Sequence, residues 1–240
     1  LGAALAIVLL APLGSHLQSL LGLGLLPLLA FLGGALTTTL VYLLGTREGG
    51  TSVTVMLLAG VAITALSGAV IGLLTYLADD QMLRNLSLWQ MGSLAAGKPV
   101  DVALALLTLA TLLLLFARDA NPLNALLLGE GEARHLGVNV QALKRRLILL
   151  TAAGVGVAVA VAGMIGFVGL VVPHLVRLLA GPNHVRLLPL SALLGAALLL
   201  GADMLARTLL APAEMPVGII TALLGAPFFI WLLVKSRRTL

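Results

Sequence analysis

The sequence predicts an all-α, polytopic membrane helical bundle, and three observations carry that expectation. Eight apolar stretches, separated by short polar or glycine-rich breaks, fill almost all of the 240 residues; most approach or exceed the ~20 residues that a helix needs to cross a hydrocarbon core. Hydrophobic residues make up 60% of the chain and charged residues 10%, with a mean hydropathy of +1.15, a balance that could not give a soluble domain a polar surface. Leucine, alanine, valine and glycine dominate, while tryptophan, tyrosine and phenylalanine total nine, which favours closely packed helices over the alternating strands and aromatic girdles of a barrel.

The expected crossings are Leu1–Leu13, Leu17–Leu44, Val53–Ala78, Val100–Ala117, Leu147–Gly163, Ile165–Ala180, Leu187–Leu210 and Val217–Val234. The fifth and sixth are read as separate because Gly163 and Gly166 divide a run of about 34 residues, too long for one crossing. Alternation then puts Arg47, Arg118, Arg134, Lys144, Arg145, Arg146, Arg177, Arg186, Lys235, Arg237 and Arg238 on the side of both chain ends, against Arg84, Lys98 and Arg207 on the other. The positive-inside rule makes the first side cytoplasmic. The basic residues lie in breaks and form no dense patch interleaved with aromatics, so the net charge of +5 reads as topology and no nucleic-acid partner is expected.

Two breaks are long enough to hold structure. At 79–99, Asp79 and Asp80 can cap a helix whose Met82, Leu86 and Trp89 share a face, giving an amphipathic helix on the outer interface. At 121–140, Asn121 and Pro122 mark a helix start, Gly129 and Gly131 interrupt it, and Glu130, Glu132, Arg134 and His135 form a polar turn closed by Gly137. Acid precedes base in that turn, as a helix dipole prefers. The expectation is two short helices joined at a glycine hinge on the cytoplasmic side.

Ionisable groups within crossings are the default functional candidates because each costs a few kcal/mol to insert. His174, after Pro173, reads as a hydrogen-bonded structural group ahead of a ligand or proton relay. Asp203 and Arg207 are spaced to pair along one helix. The four histidines share no metal-ligand spacing, no metal site is expected, and HExxH, GxSxG and phosphate-loop patterns do not occur. Absence of cysteine removes thiolate chemistry. Gly60, Thr64, Gly68 and Gly72 form a small-residue stripe on the third stretch, and Thr221 and Gly225 another on the eighth; close helix packing is one expectation, and a passage lined by Thr64, Ser67 and Thr75 is the sharper one.

Four strings meet in order: Trp89-Gln90-Met91-Gly92-Ser93-Leu94; Leu128-Gly129-Glu130 with Ala133-Arg134-His135-Leu136-Gly137; Gly166-Phe167-Val168-Gly169-Leu170-Val171-Val172-Pro173-His174 with Arg177; and Glu214-Met215-Pro216-Val217-Gly218-Ile219-Ile220-Thr221. Together they resemble the FecCD-type permeases, the membrane subunits of bacterial ABC importers for iron siderophores, heme and cobalamin, and the resemblance covers essentially the whole chain. It implies a ten-helix permease of which residues 1–240 are one transmembrane domain holding helices three to ten, a truncation consistent with a chain that opens inside an apolar run without an initiator methionine.

The resemblance also implies a homodimer in the bacterial inner membrane, a cytoplasmic ATPase dimer that hydrolyses the ATP, and a periplasmic substrate-binding protein. The permease itself would be no enzyme and hold no permanent cofactor. The substrate pathway would be lined by Thr64, Ser67, Gly68, Ile71 and Thr221. Gly129, Glu130, Glu132, Arg134 and Gly137 would form the ATPase-coupling turn, Arg207 the binding-protein contact, and Pro173, His174, Pro216 and Gly218 structural or gating positions. The stretch from Asn121 to Arg146 and Ala213-Glu214-Met215-Pro216 look most like heme permeases, so heme is the expected cargo, with a siderophore complex and cobalamin behind it. An intramembrane transferase is the rival from another class, and it would need aspartates or basic residues clustered at one depth. The sequence offers Asp79, Asp80, Asp101, Asp119 and Asp203 scattered along the chain.

Overall fold

The computed structural model describes residues 1–9, 25–47, 50–95, 97–210 and 213–236. Among these lie ten helices: α1 Gly2–Val8, α2 Leu25–Gly45, α3 Val53–Leu77, α4 Asp80–Met91, α5 Pro99–Leu126, α6 Glu130–His135, α7 Val140–Ala162, α8 Val168–Ala180, α9 His184–Thr208 and α10 Val217–Ser236. A hairpin of two-residue strands, β1 Thr46–Arg47 and β2 Gly50–Thr51, joins α2 to α3 with Thr46 opposite Thr51. The end of the first expected crossing, the start of the second, and Arg237 and Arg238 lie outside the described residues.

Among the described residues, five helices are long and apolar enough to cross a membrane: Leu26–Gly45, Val53–Leu77, Pro99–Leu126, Val140–Ala162 and His184–Thr208. Their outward faces are leucine and valine, and in the most apolar stretch of α5 no residue is buried. Hydrocarbon or a partner chain must cover those faces. The break between the fifth and sixth stretches is present, since α7 stops at Ala162 and α8 begins at Val168. At 13 residues, however, α8 is about 20 Å long, short of the ~30 Å core.

The chain divides into two compact units. One comprises Leu1–Ser87, Lys98–Leu112 and Gly137–Val161. Here Ala4 and Val8 of α1, Leu74 of α3 and Leu86 of α4 form a core, with Ile71 and Met82 against it. Glycine sets the closest approaches: a Cβ on Gly2 would collide with the Leu29 carbonyl, and one on Gly156 would lie 2.8 Å from the Phe31 ring. Asp79 caps α4 by accepting from the Met82 N–H at 2.7 Å, as expected. The helix then ends at Met91, short of the expected 99, because Gly92 takes φ +69°. Its apolar face is directed at protein, with Leu86 at 2% exposure.

The second unit comprises Leu88–Gly97, Leu113–Leu136 and the chain from Ala162 onward. Val172 and Val176 of α8 pack on Leu187 of α9, while Ala202 and Ala206 of α9 pack on Val217 and Ile220 of α10. The expected helix start at Asn121–Pro122 is not there; α5 continues through both residues to Leu126. Proline removes one helical hydrogen bond and disfavours helix at the residue before it. Burial of Ala120 and the side-chain hydrogen bonds at Asn124 offset that cost. Of the two short helices expected at 121–140, only α6 is a separate element, and Gly131 lies within it.

Candidate functional site

The junction between α9 and α10 brings together Asp203, Arg207, Pro216 and Gly218 from the expected residues. Asp203 accepts from Arg207 Nε at 2.8 Å, the i, i+4 pair anticipated from spacing, and Arg207 remains 45% exposed. The two open onto a cleft of about 170 Å³, also lined by Leu88, Ser93, Leu94, Ala95, Glu214, Met215, Pro216 and Val217. That is below the ~300 Å³ at which small-molecule sites begin, so the cleft is sized for a protruding side chain and not for a tetrapyrrole. The exposed guanidinium shares the cleft with two carboxylates, those of Asp203 and Glu214.

Three glycines hold the floor of this cleft together. A Cβ on Gly218, at the start of α10, would collide with the Met91 carbonyl and come within 3.2 Å of the Met164 carbonyl. Gly163, at φ +72°, sits against the Trp89 carbonyl, and a Cβ on Gly92 would lie 2.7 Å from the Met164 oxygen. The Ser93 N–H donates to the Ala162 carbonyl at 2.9 Å. The end of α4, the α7–α8 connection and the start of α10 therefore touch backbone to backbone, which only glycine permits. Gly218 was singled out by the sequence; the roles of Gly92 and Gly163 were not, because their partners are distant in the chain.

The α6 turn has the expected form. Gly129 at φ +107° precedes it and Gly137 at φ +83° follows it. Glu130 and Glu132 occupy the first turn and Arg134 and His135 the last. Arg134 and Glu130 pair loosely at 3.9 Å, both half exposed, while Ala133 is fully buried. Such a surface pair contributes little stability, and α6 is a short charged element with Ala133 turned into the protein.

The small-residue stripes behave differently from one another. On α3, a Cβ added to Gly60, Gly68 or Gly72 would meet no protein atom within 4 Å, and Thr64 is exposed with its hydroxyl donating to the Gly60 carbonyl at 2.7 Å. They thus pack against none of the described residues. Ser67 is partly exposed, and Ile71 belongs in part to the α1–α3–α4 core. On α10, by contrast, a Cβ on Gly225 would collide with Phe167, which begins α8 at φ 66° and is the one non-glycine with positive φ among the described residues. Thr221, expected on the open pathway face, is 2% exposed and donates to the Gly218 carbonyl at 3.1 Å, so it faces protein. His174 is half buried and, among the described residues, takes no hydrogen-bond partner, contrary to the expected structural hydrogen bond; α8 continues through Pro173.

Long apolar helices with uncovered small-residue and leucine faces make this a polytopic membrane protein. Residues 1–235 match the FecCD transport family, and the chain belongs to that family as a transporter permease. It is 49% identical over 237 residues, 99% of its length and 71% of the relative's, to the hemin transport system permease protein HmuU of Yersinia pestis. It is 45% identical to the vitamin B12 import system permease protein BtuC of Vibrio cholerae, over 85% of this chain and 61% of that one. A solved inward-facing structure of a metal-chelate type ABC transporter superposes with a TM-score of 0.83 at 34% identity, covering 98% of this chain and 71% of that chain.

Proposed function

We propose that the chain is the membrane subunit of an ABC importer that moves heme inward across the bacterial inner membrane. The identity gradient supports this cargo: 49% across nearly the whole chain to a hemin permease, against 45% and less to vitamin B12 permeases. The exposed α3 face is compatible with it, because small and weakly polar groups at Thr64, Ser67 and Gly68 offer a bulky apolar ring system no fixed charge and no axial ligand. Passage through shape and weak contacts avoids a tight site that the cargo could not leave. Ile71 lies one turn along α3, and Thr221 would join the lining only in a state that turns α10.

In this proposal two permease copies form a homodimer and place their α3 faces about a common axis. A periplasmic binding protein docks an acidic side chain on Arg207, and a cytoplasmic ATPase dimer receives α6 through Glu132 and Arg134. Hydrolysis of ATP occurs on the ATPase, and the permease alternates between outward-open and inward-open states. Both chain ends are cytoplasmic, following the eleven-to-three distribution of lysine and arginine. Cobalamin is the second reading, favoured by the identity to BtuC. The test is ATP-dependent uptake by the permease reconstituted with its ATPase and binding protein, offered heme, cobalamin or a ferric hydroxamate in turn. Heme uptake alone is expected; uptake of cobalamin or the hydroxamate without heme would reject the cargo and keep the importer.

A further inference from the structure

Asn124, in the last turn of α5, sits at the centre of a hydrogen-bond network that its sequence context does not announce. Its Oδ1 accepts from the His184 backbone N–H at 2.7 Å and faces His184 Nδ1 at 3.1 Å. Its Nδ2 donates to Asn183 Oδ1 at 3.0 Å. Asn183 Oδ1 in turn accepts from the Val185 N–H at 3.0 Å. The orientation of the Asn124 amide is fixed by chemistry, since a backbone N–H can only donate and so requires oxygen opposite it. The same oxygen requires His184 to carry its ring proton on Nδ1 when the two are bonded.

Two of the free N–H groups that open α9 are thus capped, one by its own N-cap residue and the other by a residue from a different helix. The carbonyl end of α5 abuts the N–H end of α9, so the two helix dipoles are complementary there. From Asn124 onward the chain is wound tightly: Leu127, Leu128 and Gly129 donate in succession to Asn124, Ala125 and Leu126 at 3.1 Å each, and Ala133 then donates to Gly129 to begin α6. Three consecutive i+3 turns leave little slack between the amide and the charged turn. Asn124, α6 and α9 all belong to the second unit, and the chain returns to the first unit at Gly137.

We propose that Asn124 is a positioning residue that locks α6 to the N-terminus of α9, so that displacement of α6 is delivered to α9 and, through Ala202 and Ala206, to Val217 at the head of α10. The inference rests on α6 being the ATPase contact. Its distinct content is the route: through the Asn124 amide and along α9.

The test uses the permease in complex with its ATPase and binding protein, with spin labels on cysteines replacing His135 and Arg186, both exposed in a chain that has no cysteine of its own. In the parent the label distance should keep one narrow distribution with and without ATP. Asn124→Leu, similar in size but unable to bond, should broaden it and lower cargo imported per ATP hydrolysed by at least the ~5-fold that one ordinary hydrogen bond contributes. Association of the ATPase should stay unchanged. Asn124→Asp keeps both contacts to His184 and should recover most of the yield. Should Asn124→Leu fail to fold, Asn183→Ser carries the same expectation in weaker form. A narrow distance and parental yield in whichever variant folds would overturn the route, whereas ATPase binding indifferent to replacement of Glu132 and Arg134 would overturn the coupling role of α6 instead.

Discussion

At Gly218 a single hydrogen separates a folded junction from a clash, because the Met91 carbonyl occupies the space that a Cβ would need. Gly218→Val should therefore destabilise the permease by about 1–3 kcal/mol, the usual cost of overpacking, and lower its melting temperature in detergent. Gly201→Ala, on an open face of α9, should leave melting unchanged or raise it slightly, since alanine is the better helix former. Equal melting of Gly218→Val and the parent would dismiss the glycine contact. Arg207→Glu should slow docking of the binding protein, most at low ionic strength, because steering between exposed charges is screened by salt. A docking rate equal to the parent's at low salt would leave Arg207 as Asp203's partner and nothing more. What was legible at this scale was local: Asp203 and Arg207 are four apart on one helix and their pairing follows from helical geometry. The contacts of Gly92, Gly163 and Asn124 were invisible because each partner is about 50 or more residues away and no periodicity points to it.

Among the elements, breaks at glycines with positive φ were legible, while those assigned to Gly131 and Pro122 were not, since both residues lie inside helices. Gly163 follows the end of α7 and Gly129 and Gly137 bound α6, because positive φ is a property of the backbone at that residue. Pro122 only penalises a helix, and the hydrogen bonds that Asn124 makes to Asn183 and His184 hold α5 past it. The β1–β2 hairpin escaped notice since two residues per strand give no alternating pattern; it is held instead by Thr51, whose hydroxyl donates to Gln141 at 3.3 Å and whose carbonyl accepts from Lys144 at 3.4 Å. For α6, replacing Glu132 and Arg134 together by alanine should uncouple ATP hydrolysis from uptake while leaving the melting temperature within about 0.5 kcal/mol equivalent of the parent, as surface changes do. Unchanged stoichiometry of ATP to cargo would reject α6 as the coupling element.

For the molecule as a whole, composition indicated the solvent, because burying charge in hydrocarbon is costly, and the charge distribution indicated an expected direction, because lysine and arginine favour the inner side. The number of crossings is less accessible to that logic: α8 and the apolar part of α10, Val217–Leu232, are shorter than a full span, and short helices are accommodated by neighbours in ways a window average cannot register. Docking and coupling both require Arg207 and its cleft to face out while α6 faces in. Since the chain contains no cysteine, single replacements can be placed without background. Lys98→Cys lies on the expected outer side and Asn139→Cys, just after α6 in the chain, on the inner. In intact cells an impermeant thiol reagent should label Lys98→Cys and spare Asn139→Cys until the membrane is opened; labelling of Asn139→Cys from outside, with Lys98→Cys protected, would contradict the orientation and with it the docking and coupling roles together.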